Sequence, residues 1–109
     1  MDLGEFSVSL AVADLGRSLH FYQALGFTVV DGAVEQSWVM LANGSTKIGL
    51  FQGMFDTNIV TFNPPDARAV EQAVVAAGYV PDQATAAGDG PAHFVVRDPD
   101  GNPVLVDQH

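Results

Sequence analysis

The chain has 109 residues, 48% of them hydrophobic and 16% charged, which suits one domain with one core and is too apolar for disorder. Four Lys and Arg against thirteen Asp and Glu give a net charge of −9, which argues against nucleic acid and anionic membrane surfaces and permits a cationic partner, although solubility is the simpler source of the bias. The absence of Cys excludes disulfides, zinc fingers and cysteine nucleophiles; with no signal-like amino end and no long apolar run, the expectation is a soluble cytoplasmic protein without a membrane partner.

An internal repeat orders the elements. A shift of 52 positions sets Phe6–Phe27 on Asn58–Tyr79, pairing Val8 with Val60, Leu10 with Phe62, Asp14 with Asp66 and Gly26 with Gly78. In the first copy, Val8, Leu10 and Val12 alternate with Ser7, Ser9 and Ala11, the period of a strand with one apolar face. Asp14 offers an N-cap oxygen, Leu15, Ser18, Leu19, Tyr22 and Leu25 share a helical face, and Gly26 stands where a helix ends. Strands are then predicted at Phe27–Asp31, Gln36–Leu41 and Lys47–Phe51, with Asn43-Gly44 as a turn. Gly53–Asp56 links the halves.

The second copy opens on a strand around Val60 and Phe62, closed off by Pro64-Pro65. Asp66 caps a helix whose buried stripe is Val70, Ala73, Val74 and Ala77, and Gly78 stops it. Strands are predicted at Tyr79–Pro81, Ala92–Arg97 and Pro103–Asp107, the last two joined by a four-residue turn, Asp98–Gly101. Asp82–Pro91, rich in Ala and Gly, is expected to be a mobile loop. The reading is an α+β fold in a single domain, residues 1–109. It comprises tandem βαβββ modules, about 5–53 and 57–109, with one helix each on a curved, cup-like mixed sheet.

The stretches VADLGRSLHFYQALGF, SWVMLANGSTKIGLF and FVVRDPDGNPVLV, in that order, resemble the vicinal oxygen chelate superfamily. That superfamily includes glyoxalase I, extradiol dioxygenases and the fosfomycin and bleomycin resistance proteins. The resemblance covers essentially the whole chain. It implies a cup in which up to four inward His or Glu side chains hold a divalent metal that chelates two substrate oxygens. On this chain those four positions are Ser7, Gly49, Ile59 and Leu105, and none is a competent ligand. No metal, other cofactor or catalytic residue is therefore assigned.

With Ser7 and Leu105 facing inward, as the resemblance implies, strand alternation completes a ligand-binding lining with Ser9, Trp38, Met40, Lys47, Phe51, Thr61 and Phe94. Aromatic rings and a thioether would grip a planar or apolar molecule while hydroxyls orient it. Of the three His, His20 is expected in solvent and His109 at a frayed end. Pairing across the four-residue turn sets His93 opposite Val106. The resemblance favours the metal-free, bleomycin-resistance-like branch, an acidic homodimer that binds a small molecule such as an antibiotic. The alternative is a glyoxalase- or lyase-type enzyme with a non-standard site.

Overall fold

The computed structural model describes all 109 residues. The chain forms two compact units: Ser7–Asn58, called module one, and Ile59–His109 together with Met1–Phe6, called module two. The elements in order are β1 (Glu5–Ala11), α1 (Leu15–Ala24), β2 (Thr28–Ala33), a short 3-10 turn (Val34–Gln36), β3 (Trp38–Asn43), β4 (Thr46–Phe51), β5 (Ile59–Asn63), α2 (Ala67–Ala76), β6 (Ala92–Arg97) and β7 (Pro103–Gln108).

Module one orders its strands β2-β3-β4-β1, with β1 parallel to β4 and the other pairs antiparallel. The α1 positions Leu15, Leu19 and Tyr22 recur at helical spacing and pack on Val39, Leu41 and Leu50, with Leu10, Val12, Phe27 and Ile48 at the margin. Two acceptors hold the helix start. The Asp14 carboxylate takes the Arg17 N–H at 3.2 Å, and the Gln52 amide oxygen takes the Leu15 N–H at 2.8 Å. Gly26, at φ +95°, ends the helix in a Schellman arrangement in which Gly26 N–H donates to Gln23 O and Phe27 N–H to Tyr22 O.

Module two orders its strands β5-β7-β6, with β5 parallel to β7 and β6 antiparallel to it. Its core is Ala67 and Val70 of α2 against Ala92, Phe94 and Val106, joined by Leu3 from the amino end. Phe6 meets Phe62 at 5.4 Å between ring centroids. The helix start repeats the device of module one: the Asp66 carboxylate takes the Ala69 N–H at 3.0 Å and the Gln108 amide oxygen takes the Ala67 N–H at 2.9 Å.

Four expectations change in detail. No strand forms at Tyr79–Pro81: Val80 is 84% exposed, and Pro81 has no N–H to give to a ladder. The edge of β6 is met instead by Gln83, which exchanges hydrogen bonds with Val95 at 3.0 and 3.3 Å. The segment Asp82–Pro91 is fastened to α2: Arg68 donates to Ala86 O at 3.2 Å and to Gly90 O at 2.8 Å, while Glu71 accepts from Thr85 N–H at 2.7 Å and from its hydroxyl. In module one, Gln36 belongs to the 3-10 turn rather than β3, and Ser37 adopts a left-handed φ of 67° between the two.

The fourth change concerns the β6–β7 connection, which is one residue longer than the Asp-Pro-Asp-Gly signal suggests. Asp98 N–H donates to Asn102 O at 3.0 Å, and the Asp98 carboxylate takes the Asp100 N–H, the Asn102 N–H and the Asn102 side-chain amide. These bonds, led by the Asn102 side chain, hold the Asp98 carboxyl below its ordinary pKa. Arg97 therefore pairs with Pro103, Val95 with Leu105 and His93 with Asp107. A one-residue slip exchanges the two faces of a strand, so Phe94 and Val96 turn toward α2 and His93 and Val95 turn away.

Candidate functional site

The strand faces turned away from the helices carry the candidate site residues, each within its own module. In module one the helix side of the sheet takes Val39, Leu41, Ile48 and Leu50, so the opposite face takes the alternate positions. Trp38 pairs with Phe51, Met40 with Gly49 and Ala42 with Lys47 across β3–β4; Ser9 lies beside Gly49 and Ala11 beside Phe51 across β1–β4. Trp38, Met40, Lys47, Phe51, Ser7 and Ser9 thus share one face.

The aromatic residues on that face form a platform. The Trp38 and Phe51 rings are stacked, 6.1 Å apart and 8° from parallel, and Phe55 tilts against Phe51 at 5.3 Å. Trp38, Met40, Phe51 and Phe55 are all half-buried. Gly49 makes the arrangement possible. A Cβ there would fall 2.5 Å from a Phe51 ring carbon and 2.8 Å from the Met40 sulfur, so ring and thioether lie across bare backbone. Asp31 of β2, opposite Met40, adds a carboxylate at the margin that accepts the Gly32 N–H at 2.8 Å.

In module two, Thr61 and Leu105 are paired neighbours on the face opposite α2, with Val95 across from Leu105. Thr61 is buried and, like Ser9 and Lys47, engaged in an interaction. Phe94 is not on this face. It is fully buried in the α2 core, where the true register places it. In its stead the face carries His93, whose Nε2 lies 2.9 Å from the Gln83 side-chain amide, and Asp107 directly opposite. Asn63 donates to Asp107 O at 2.9 Å and lies 3.2 Å from His109 Nε2.

Sequence reasoning missed Phe55, Asp31 and Gln83. Phe55 lies in the link after β4, where no periodicity marks a ring as part of a face. The polarity of the alternate positions does mark the β6 register: Ala92, Phe94 and Val96 are uniformly apolar, whereas His93, Val95 and Arg97 are not.

The superfamily's metal does not fit these residues. The four positions that the resemblance assigns to it offer a hydroxyl, a hydrogen and two hydrocarbon side chains, and the space beside Gly49 holds the Phe51 ring and the Met40 thioether. Nowhere do three His, Asp or Glu side chains gather closely enough to hold an ion.

Comparison with known proteins supplies the family. The Glyoxalase/Bleomycin resistance protein/Dioxygenase superfamily model matches residues 6–106. A superfamily member from Vibrio splendidus 12B01 superposes with a TM-score of 0.77 at 20% identity, covering 96% of this chain and 98% of that one. Methylmalonyl-CoA epimerase from Mycobacterium tuberculosis gives 0.67 at 14% identity, covering 98% and 87%. A Streptomyces coelicolor methylmalonyl-CoA epimerase variant gives 0.70 at 18% identity, covering 97% and 94%. Among curated proteins there is no match. At these identities the structural likenesses speak for the fold alone, and the family match extends over nearly the whole sequence. The chain belongs to the glyoxalase/bleomycin resistance protein/dioxygenase superfamily.

Proposed function

We propose that this protein is a metal-independent small-molecule binder that holds an apolar or aromatic metabolite, or an antibiotic, on the Trp38–Phe51 platform of module one. The observation that carries the reading is Gly49: at a position where the superfamily resemblance expects a metal ligand, this chain has no side chain and lays a ring and a thioether across the gap. Trp38, Met40 and Phe51 supply contact area, and Ser9 and Lys47 supply polar groups at the same face. Ser7, Thr61 and Leu105 complete the proposed binding set. An acidic homodimer in the cytoplasm, close to the bleomycin-resistance-like branch, fits the net charge of −9 and an affinity for cationic ligands.

The test has two parts. Calorimetric titration with zinc, nickel, cobalt, iron(II) and manganese gives no binding signal, and one tight equivalent of metal overturns the proposal. Trp38 is the chain's one tryptophan, so its fluorescence reports the platform without interference in a ligand screen. A hit must change that emission and lose at least about tenfold in affinity on Phe51→Ala. Sedimentation velocity checks the dimer.

A second reading, a glyoxalase- or lyase-type enzyme without the standard metal, is favoured by His93. This exposed imidazole faces Asp107 across β6–β7 and touches the Gln83 amide, a placement open to proton transfer. Turnover that disappears in His93→Gln supports this reading, and turnover indifferent to it removes it.

A further inference from the structure

The two modules end their helices with the same backbone device and different side chains. In module one, Phe27 N–H donates to Tyr22 O at 3.1 Å, and the two rings meet edge to face at 5.9 Å in one cluster with Leu41 and Ile48, themselves paired across β3–β4. A hydrophobic contact of this kind ordinarily accompanies the Schellman motif. In module two, Tyr79 N–H donates to Val74 O at 3.2 Å, and Val96 pairs with Val104 across β6–β7. Val74 thus stands for Tyr22, Tyr79 for Phe27, Val96 for Leu41 and Val104 for Ile48. Three of the four residues are smaller. The fourth, Tyr79, is 51% exposed.

What is left is a recess of about 210 Å³ lined by Val74, Tyr79, Val96, Pro99 and Val104, with Arg97 and Asp98 at its rim. The rim groups are already engaged. Arg97 bonds Asp82 at 2.6 Å and Gly101 O at 2.9 Å, and the Asp98 carboxylate is held within its own turn by Asp100 and Asn102.

We infer that this recess binds one neutral aromatic ring of a small molecule, which takes the place the Tyr22 ring holds in module one. A bare apolar hollow gains most from a group of matching shape that needs no hydrogen bond. A negatively charged ring is disfavoured by Asp98 and by the net charge of −9. The site lies wholly within module two, on the helix side of its sheet, and does not depend on the reading of the Trp38 platform.

The experiment is a methyl-detected NMR titration of the full chain with toluene, and separately with benzoate. Toluene shifts the Val74, Val96 and Val104 methyl signals saturably, with a dissociation constant on the order of 1 mM, and benzoate binds at least about tenfold more weakly. Val74→Phe fills the recess and abolishes the toluene response. Should that variant fail to fold, Val74→Met fills the recess from the same position with a flexible side chain and gives the same readout at Val96 and Val104. The inference is overturned by the absence of saturable shifts up to the solubility of toluene, or by shifts that persist in the filled variants. It is equally overturned if these methyl signals move with protein concentration alone, which would make a second copy of the chain the occupant.

Discussion

Modules one and two solve the same packing problem with opposite allocations of bulk. Module one puts large side chains on its helix, Leu15, Leu19 and Tyr22, and a small one, Val39, beneath them on the sheet. Module two puts Ala67, Val70 and Val74 on its helix and the largest fully buried side chain of the chain, Phe94, at the strand position matching Val39. Interiors must be filled to near-crystalline density, so what one layer gives up the facing layer supplies. The compensation holds under the first turns of α2 and lapses at its carboxyl end. The faces turned away from the helices differ as well: a stack of rings in module one, a polar edge of His93, Asp107 and Asn63 in module two.

Substitutions that exchange the allocations test this directly. Phe94→Ala removes the large partner where α2 offers only small ones and costs about 3–5 kcal/mol in urea unfolding, whereas Trp38→Ala, at a half-buried platform, costs less than about 2 kcal/mol and leaves the chain folded. An equal loss for the two would place Trp38 in the core and remove the platform. Gly49→Ala forces the Phe51 ring and the Met40 sulfur to move and costs about 1–3 kcal/mol, and combining it with Phe51→Ala costs less than the sum of the two. Additivity would mean that the ring does not lie where the structure puts it. Gln52→Ala and Gln108→Ala each leave one helix-start N–H without its acceptor and cost about 1 kcal/mol, with matching effects if the two modules share the device.

The smallest effect concerns acid. The carboxyl of Asp98 is held below its ordinary pKa in the folded chain, so it contributes stability that is present above roughly pH 4 and is lost as pH falls through the lowered folded value. Melting temperatures followed from about pH 5 to pH 2 should fall less steeply in Asp98→Asn than in the wild type. An unchanged slope would deny the turn its role in acid sensitivity.

Much of this arrangement can be read from the residues. Apart from the strand expected at Tyr79–Pro81, the strand and helix order, both N-caps and both glycine stops are written in local patterns that tertiary packing reinforces. The face of Trp38, Met40, Lys47 and Phe51 is legible because Gly44, one residue into the expected turn, leads a tight two-residue β3–β4 hairpin in which Asn43 pairs with Thr46, and hairpin length fixes register. The β6 face is misread from the turn signal, although the apolar run of Ala92, Phe94 and Val96 marks it: the carboxylate of Asp98 draws Asn102 into the turn, and one additional loop residue moves Phe94 from one side to the other. Side-chain reach across sequence is the other hidden quantity. Nothing local tells that Arg68 and Glu71 clasp a segment more than a dozen residues onward, or that Phe55 leans on Phe51.

The glutamine acceptors at the helix starts have a dynamic consequence. Gln52 immediately follows the last strand of module one, and Gln108 ends the last strand of module two, so each bridges the far end of its module to the first turn of its helix. The amide protons of Leu15 and Ala67 can exchange with solvent only when that closure opens, which makes each a natural clock for its module's opening. Two peaks in a hydrogen-exchange spectrum would then tell whether the modules breathe together or one at a time.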